Sequence, residues 1–166
     1  WTYEGLAFNA FDYERNGEFT DEFLTDHIIG SQGRIERPKV IYNEKTGKYV
    51  MWMHLEKDGV YTLSMAGVAV SDSPTGPFEW KWYGFPVLDP YVTYNGKMIQ
   101  TYRDMNLFVD DDGTAYVIYS SEGNRTTFIS RLNDDYTALE VDRDEAEEGT
   151  HFTRNFVGWS REAPAM

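Results

Sequence analysis

Three segments of the chain open alike, and their recurrence constrains the fold more tightly than any other feature. The first runs Arg37-Pro38-Lys39-Val40-Ile41-Tyr42, turns through Gly47 and continues as Tyr49-Val50-Met51-Trp52-Met53. The second runs Arg103-Asp104-Met105-Asn106-Leu107-Phe108, turns through Asp110-Asp111-Asp112-Gly113 and continues as Tyr116-Val117-Ile118-Tyr119. A third begins at Arg161-Glu162-Ala163-Pro164-Ala165-Met166. Each opening predicts an apolar strand, and each Gly-ended turn predicts a hairpin into an aromatic-rich partner.

Downstream of the first hairpin, Gly67-Val68-Ala69-Val70-Ser71 reads as a third strand, closed by the turn from Asp72 to Phe78. The second unit repeats the plan with Thr127-Phe128-Ile129-Ser130-Arg131-Leu132 and the turn Asn133-Asp134-Asp135-Tyr136. A further short strand is expected after each. Units of about four antiparallel strands recurring at this period are the signature of β-propeller blades. The chain is therefore expected to be all-β: two whole blades, the tail of an earlier one (Trp1 to about Phe8) and the first strand of a later one. A two-sheet sandwich is the competing architecture, and recurrence across three segments argues against it. The acidic stretch Glu140 to Glu148 reads as a solvated loop or an exposed short helix.

Composition narrows the partners. At 166 residues, with 41% hydrophobic and 16% aromatic content, the chain can bury a core. Its formal net charge of −13 disfavours nucleic acid and anionic membrane surfaces, which demand clustered Lys and Arg. No apolar run is long enough to cross a bilayer as a helix. With no cysteine there is no disulfide framework and no thiolate metal site. Trp1 and Met166 both read as cuts, so residues 1–166 are expected to be one partial domain truncated at both ends.

In a propeller the innermost strand of each blade lines a central channel, so the starts of successive inner strands converge. Those places hold Glu36 beside Arg37, Asp104 beside Arg103 and Glu162 beside Arg161. Glycosidic cleavage asks for such a cluster, because one carboxylic acid must keep its proton for the leaving oxygen and a neighbouring negative charge helps it do so. The same residues could instead tie blades together through Arg–carboxylate pairs. Both readings stand on the sequence.

The segment Arg103 to Gly113 resembles the third-blade motif of the five-bladed glycoside hydrolases of family 43. The resemblance implies that Asp104 tunes and orients the catalytic acid. Glu162-Ala163-Pro164 is similar to the segment that supplies the general acid, which implies that role for Glu162. Glu36 to Tyr42 resembles the second-blade segment of the branch acting on β-1,3-galactan, where the Glu binds the terminal sugar. By the same resemblance Tyr61, Asn124 and the Arg-flanked inner strands, Arg103 among them, line the sugar subsite. The family's usual base is an Asp on the first blade, upstream of Trp1. In the galactan branch that role is associated with a Gln on the last blade, downstream of Met166. The resemblance therefore implies a chain inactive by itself.

The same resemblance implies inverting exo-hydrolysis releasing galactose from β-1,3-galactan of arabinogalactan type, and a secreted or periplasmic enzyme with no cofactor and no metal is expected. The alternatives are a family relative acting on arabinan or xylan, and a carbohydrate-binding propeller without catalysis. Asp110-Asp111-Asp112-Gly113 lacks the ligand spacing of a calcium loop and reads as a hairpin turn. His27, His54 and His151 show no metal-type spacing and read as surface or isolated polar residues. Asn124-Arg125-Thr126 fits a glycosylation acceptor, and no Gly-x-Ser-x-Gly elbow supports a serine hydrolase.

Overall fold

The computed structural model describes residues 1–10, 33–57, 60–84, 93–94, 97–98, 101–142 and 145–165. His27 and Met166 lie outside them.

Strands β1 (Arg34–Asn43), β2 (Lys48–Lys57), β3 (Val60–Ser71) and β4 (Glu79–Gly84) pair in chain order as one four-stranded antiparallel sheet. A short pair, β5 (Thr93–Tyr94) with β6 (Lys97–Met98), follows. Strands β7 (Arg103–Val109), β8 (Ala115–Ser121), β9 (Thr126–Arg131) and β10 (Phe152–Asn155) form the second four-stranded sheet, again in chain order. Neither sheet contains the crossover a sandwich requires, so these are two propeller blades. The hairpin expected at Asp110–Gly113 is present: Gly113 N–H donates to Asp110 O at 2.9 Å and Asp110 N–H to Thr114 O at 2.8 Å. The described part of the Glu140–Glu148 stretch is loop apart from a 3₁₀ turn at Glu145, where Glu145 N–H donates to Asp142 O at 3.0 Å, and a bridge from Glu148 to Phe152.

Alternation along β2 explains why the first blade is apolar on both faces. Val50 and Trp52, with Ala66 and Val68 of β3, face the second blade and meet Val117, Tyr119 and Phe128. Their neighbours Met51, Met53 and Leu55 turn the other way and pack with Phe78 and Trp80. Between the blades Trp52 is fully buried, its ring 6.1 Å from Trp82 and 6.0 Å from Tyr102, and its indole N–H donates to Tyr136 O at 2.8 Å.

The segment before the first blade forms no regular strand within residues 1–10 and docks on that blade's outer edge instead. Phe8 bridges Phe78, Phe78 N–H donates to Ala7 O at 2.8 Å, and the Phe8 ring meets Trp80 edge-on at 4.8 Å. Gly76 makes this approach possible: its φ is +84° and a Cβ there would lie 2.3 Å from Ala7 O. Gly76→Ala is expected to cost on the order of 1–3 kcal/mol from the left-handed backbone alone, read as a lower urea midpoint. An unchanged midpoint would mean that Gly76 is not held at positive φ against Ala7 in solution.

The inner strands β1 and β7 carry the same irregularity. Opposite Met53, β1 places two residues, Arg37 and Pro38; opposite Tyr119, β7 places Asp104 and Met105. These are β-bulges, and the first bulged residue is left-handed in each, with φ 51° at Arg37 and 47° at Asp104. Ala163 repeats it with φ 50°. The repeat is thus real, but its register is one residue from the alignment of Arg37 with Arg103 and two from its alignment with Arg161. Glu36 corresponds to Arg103 and Glu162, and Arg37 corresponds to Asp104 and Ala163.

Candidate active site

Glu36, Arg37, His54, Tyr61, Arg103, Asp104, Asn124 and Glu162 line one open cavity of about 340 Å³ between the starts of the two inner strands. That volume lies within the range of small-molecule sites. All six residues singled out from the sequence are in it. Arg37 and His54 are added, and Arg161 is not among the lining residues: its guanidinium stands over the Phe156 and Trp159 rings instead.

The bulge accounts for the crowding. On a regular strand adjacent side chains point to opposite faces, whereas here Glu36 with Arg37, and Arg103 with Asp104, reach the same cavity. Each blade contributes one anion and one cation. Arg37 Nε lies 3.2 Å from Asp104 Oδ1, joining the blades across the cavity floor. Tyr61, from β3, donates its hydroxyl to Glu36 Oε1 at 2.9 Å. Arg103 donates through Nε to Ser64 Oγ at 2.7 Å and through its terminal nitrogen to Tyr61 O at 2.5 Å.

Glu162 reaches the site without a strand; its segment is pinned by backbone contacts. Ser120 Oγ donates to Arg161 O at 2.8 Å, Arg161 N–H to Asn124 O at 3.3 Å and Ala163 N–H to Asp104 Oδ2 at 3.4 Å. Asn124 Nδ2 donates to Glu162 Oε1 at 3.3 Å. The turn carrying Asn124 is left-handed at three consecutive residues, Glu122, Gly123 and Asn124, two of them types that accept this conformation readily.

The reading of His54 as a surface or isolated residue is corrected. His54 is 1% exposed, its Nε2 lies 2.8 Å from Glu56 Oε1, and its Nδ1 faces Glu36 Oε2 at 3.7 Å. Glu56 is itself buried. Burial pushes its carboxyl up, but hydrogen bonds from His54, Ser64 Oγ and Leu63 N–H outweigh that and hold it below the usual carboxylate value. Alternation places His54 and Glu56 on one face of β2, the one signal that could have joined them. Ser64, eight residues further on, carried none. No group of three or more His, Cys, Asp or Glu side chains among the described residues is placed to hold a metal ion.

Neither a protein-family model nor a curated protein matches the chain. Solved structures do. A family 43 β-1,3-galactosidase in complex with galactodeoxynojirimycin is 36% identical with a TM-score of 0.73, over 98% of this chain and 52% of that one. An exo-β-1,3-galactanase from Clostridium thermocellum is 37% identical with a TM-score of 0.66, over 79% of this chain and 26% of that one. An exo-β-1,3-galactanase from Phanerochaete chrysosporium with galactose is 35% identical with a TM-score of 0.57, over 69% and 24% respectively. The chain spans about half the length of the first of these and about a quarter of the other two. With the identity to the first maintained along nearly its whole length, and with two four-stranded blades, the chain belongs to glycoside hydrolase family 43, near its β-1,3-galactosidase and exo-β-1,3-galactanase branch.

Proposed function

We propose that the full-length protein is an inverting exo-glycosidase that releases galactose from β-1,3-galactan, with Glu162 as general acid. The observation that carries this reading is the convergence of Glu36, Asp104 and Glu162, from three separate stretches of the chain, on one cavity with two guanidinium groups. Sugar hydroxyls both donate and accept, so a wall of alternating carboxylates and guanidinia suits a neutral polyol. The structural neighbours that act on β-1,3-linked galactose support galactose as the sugar.

In this reaction the Glu162 carboxyl gives its proton to the glycosidic oxygen as the C1–O bond breaks. A water on the opposite face of the ring attacks C1 and passes its proton to a base outside the described lining residues. Asp104 holds the acid's segment through Ala163 N–H, while Arg37 keeps Asp104 paired and Asn124 donates to Glu162. Glu36, backed by Tyr61, accepts hydroxyl donors of the terminal sugar. Because polymeric galactan does not enter cells, we place the enzyme in a secreted or periplasmic setting.

The test is incubation of the full-length protein with β-1,3-galactan, followed by proton NMR of the first product. Free α-galactose appearing before mutarotation is the expected result, and β-galactose or internal cleavage would overturn the assignment. Galactose binding with no hydrolysis of any galactan, arabinan or xylan would favour a carbohydrate-binding propeller. Tyr61→Phe removes one hydrogen bond to Glu36 and should weaken galactose binding about three- to tenfold, as expected for a bond of about 0.5–1.5 kcal/mol. Calorimetry checks it.

A further inference from the structure

Glu56 does not line the cavity, yet two of the groups that do are held through it. Its carboxylate is 1% exposed and accepts from His54 Nε2 at 2.8 Å, Ser64 Oγ at 2.6 Å and Leu63 N–H at 3.0 Å. His54 continues to Glu36 and Ser64 continues to Arg103 Nε at 2.7 Å. One buried charge thus stands behind a cavity side chain on each of the two inner strands.

An ionised carboxylate can only accept, and this fixes the direction of every proton around it. Ser64 O–H must point to Glu56, which leaves the hydroxyl lone pairs to receive Arg103. His54 must give its Nε2 proton to Glu56, which fixes the ring and sets Nδ1, buried and without a hydrogen-bond partner among the described residues, 3.7 Å from Glu36 Oε2. Ser64 is also held at φ 54°, an uncommon conformation for serine, while its carbonyl accepts Tyr102 N–H at 2.9 Å. Strain of this kind persists only where the surroundings over-determine it, and it gathers at functional sites.

We propose that Glu56 is a positioning residue for sugar recognition, setting the orientation of Glu36 through His54 and of Arg103 through Ser64. The proposal rests on the reading of the cavity as a galactose subsite. Glu56→Gln in the full-length protein keeps the volume and removes the charge. Galactose affinity by calorimetry is expected to fall about tenfold or more, as for loss of a hydrogen bond to a charged group. The nitrogen resonances of the His54 ring and the Arg103 Nε–H resonance are expected to move without ligand present.

A lower melting temperature with affinity and both resonances unchanged would make Glu56 a structural residue only and overturn the proposal. If Glu56→Gln does not fold, Ser64→Ala severs the Arg103 arm alone. It should weaken galactose binding several-fold while the His54 resonances stay in place, and unchanged affinity would overturn the proposal equally. Should the parent protein bind no galactose, the subsite reading fails by itself. The His54 and Arg103 resonances in Glu56→Gln then decide whether Glu56 orients them, and their standing still would overturn it.

Discussion

Glu162→Gln in the full-length protein should lower galactan hydrolysis by on the order of a hundred- to ten-thousand-fold, the range that general acid catalysis supplies. Hydrolysis of a nitrophenyl β-galactoside should be largely spared, because a nitrophenolate leaves without a proton whereas a sugar alkoxide does not. The two substrates place the same galactose in the same cavity, so the comparison separates proton donation from binding. Equal loss on both would make Glu162 a sugar ligand and move the acid elsewhere. Asp104→Asn should behave differently. It removes the charge that pairs with Arg37 and accepts from Ala163 N–H, so the acid's segment loses an anchor and galactan turnover should fall about tenfold, less than for Glu162→Gln, while aryl-galactoside turnover persists. Unchanged galactan turnover would remove Asp104 from the positioning role.

Trp52→Ala should be the most destabilising single change among the described residues. Burial of a large aromatic and the cavity left by its removal are together worth about 3–5 kcal/mol. Trp52 is also fully buried between the blades and donates to Tyr136 O, a carbonyl that would be left to find another partner. Urea denaturation should show a lower midpoint with an unchanged slope. A loss below about 1 kcal/mol would mean that Trp52 is not packed between the blades. The effect should also reach the cavity, because Tyr102, which meets the Trp52 ring, is the residue before Arg103.

The blades were legible because their signals are local: alternating apolar residues, Gly-ended turns and a recurrence over a long stretch of chain. The inner-strand register was not. The bulges here place a left-handed residue first, and when Arg37 and Asp104 rather than glycine occupy it, composition gives no sign. Aligning on the arginines therefore put Glu36 and Asp104 in equivalent places, although Glu36 corresponds to Arg103. Glu162 was reachable through the recurrence and its motif, although its segment forms no strand over the described residues. His54 looked like an isolated polar residue because its partner, Glu56, carried no signal of its own: the other groups that satisfy that carboxylate, Ser64 and Leu63, belong to the next strand.

The repeated bulge gives each blade a two-letter word that is written into the cavity but not into the core. Glu36-Arg37 spells anion then cation, and Arg103-Asp104 spells cation then anion, over an unchanged hairpin scaffold. Two such words cancel electrically, leaving Glu162 as the one carboxyl of the cavity wall without a matching guanidinium, in a protein of formal net charge −13. On the proposed reading of the cavity as a sugar subsite, rewriting one letter would change which hydroxyl pattern is met while Trp52, Tyr119 and their neighbours stay packed. A family built this way can diversify its vocabulary of sugars blade by blade without renegotiating its fold.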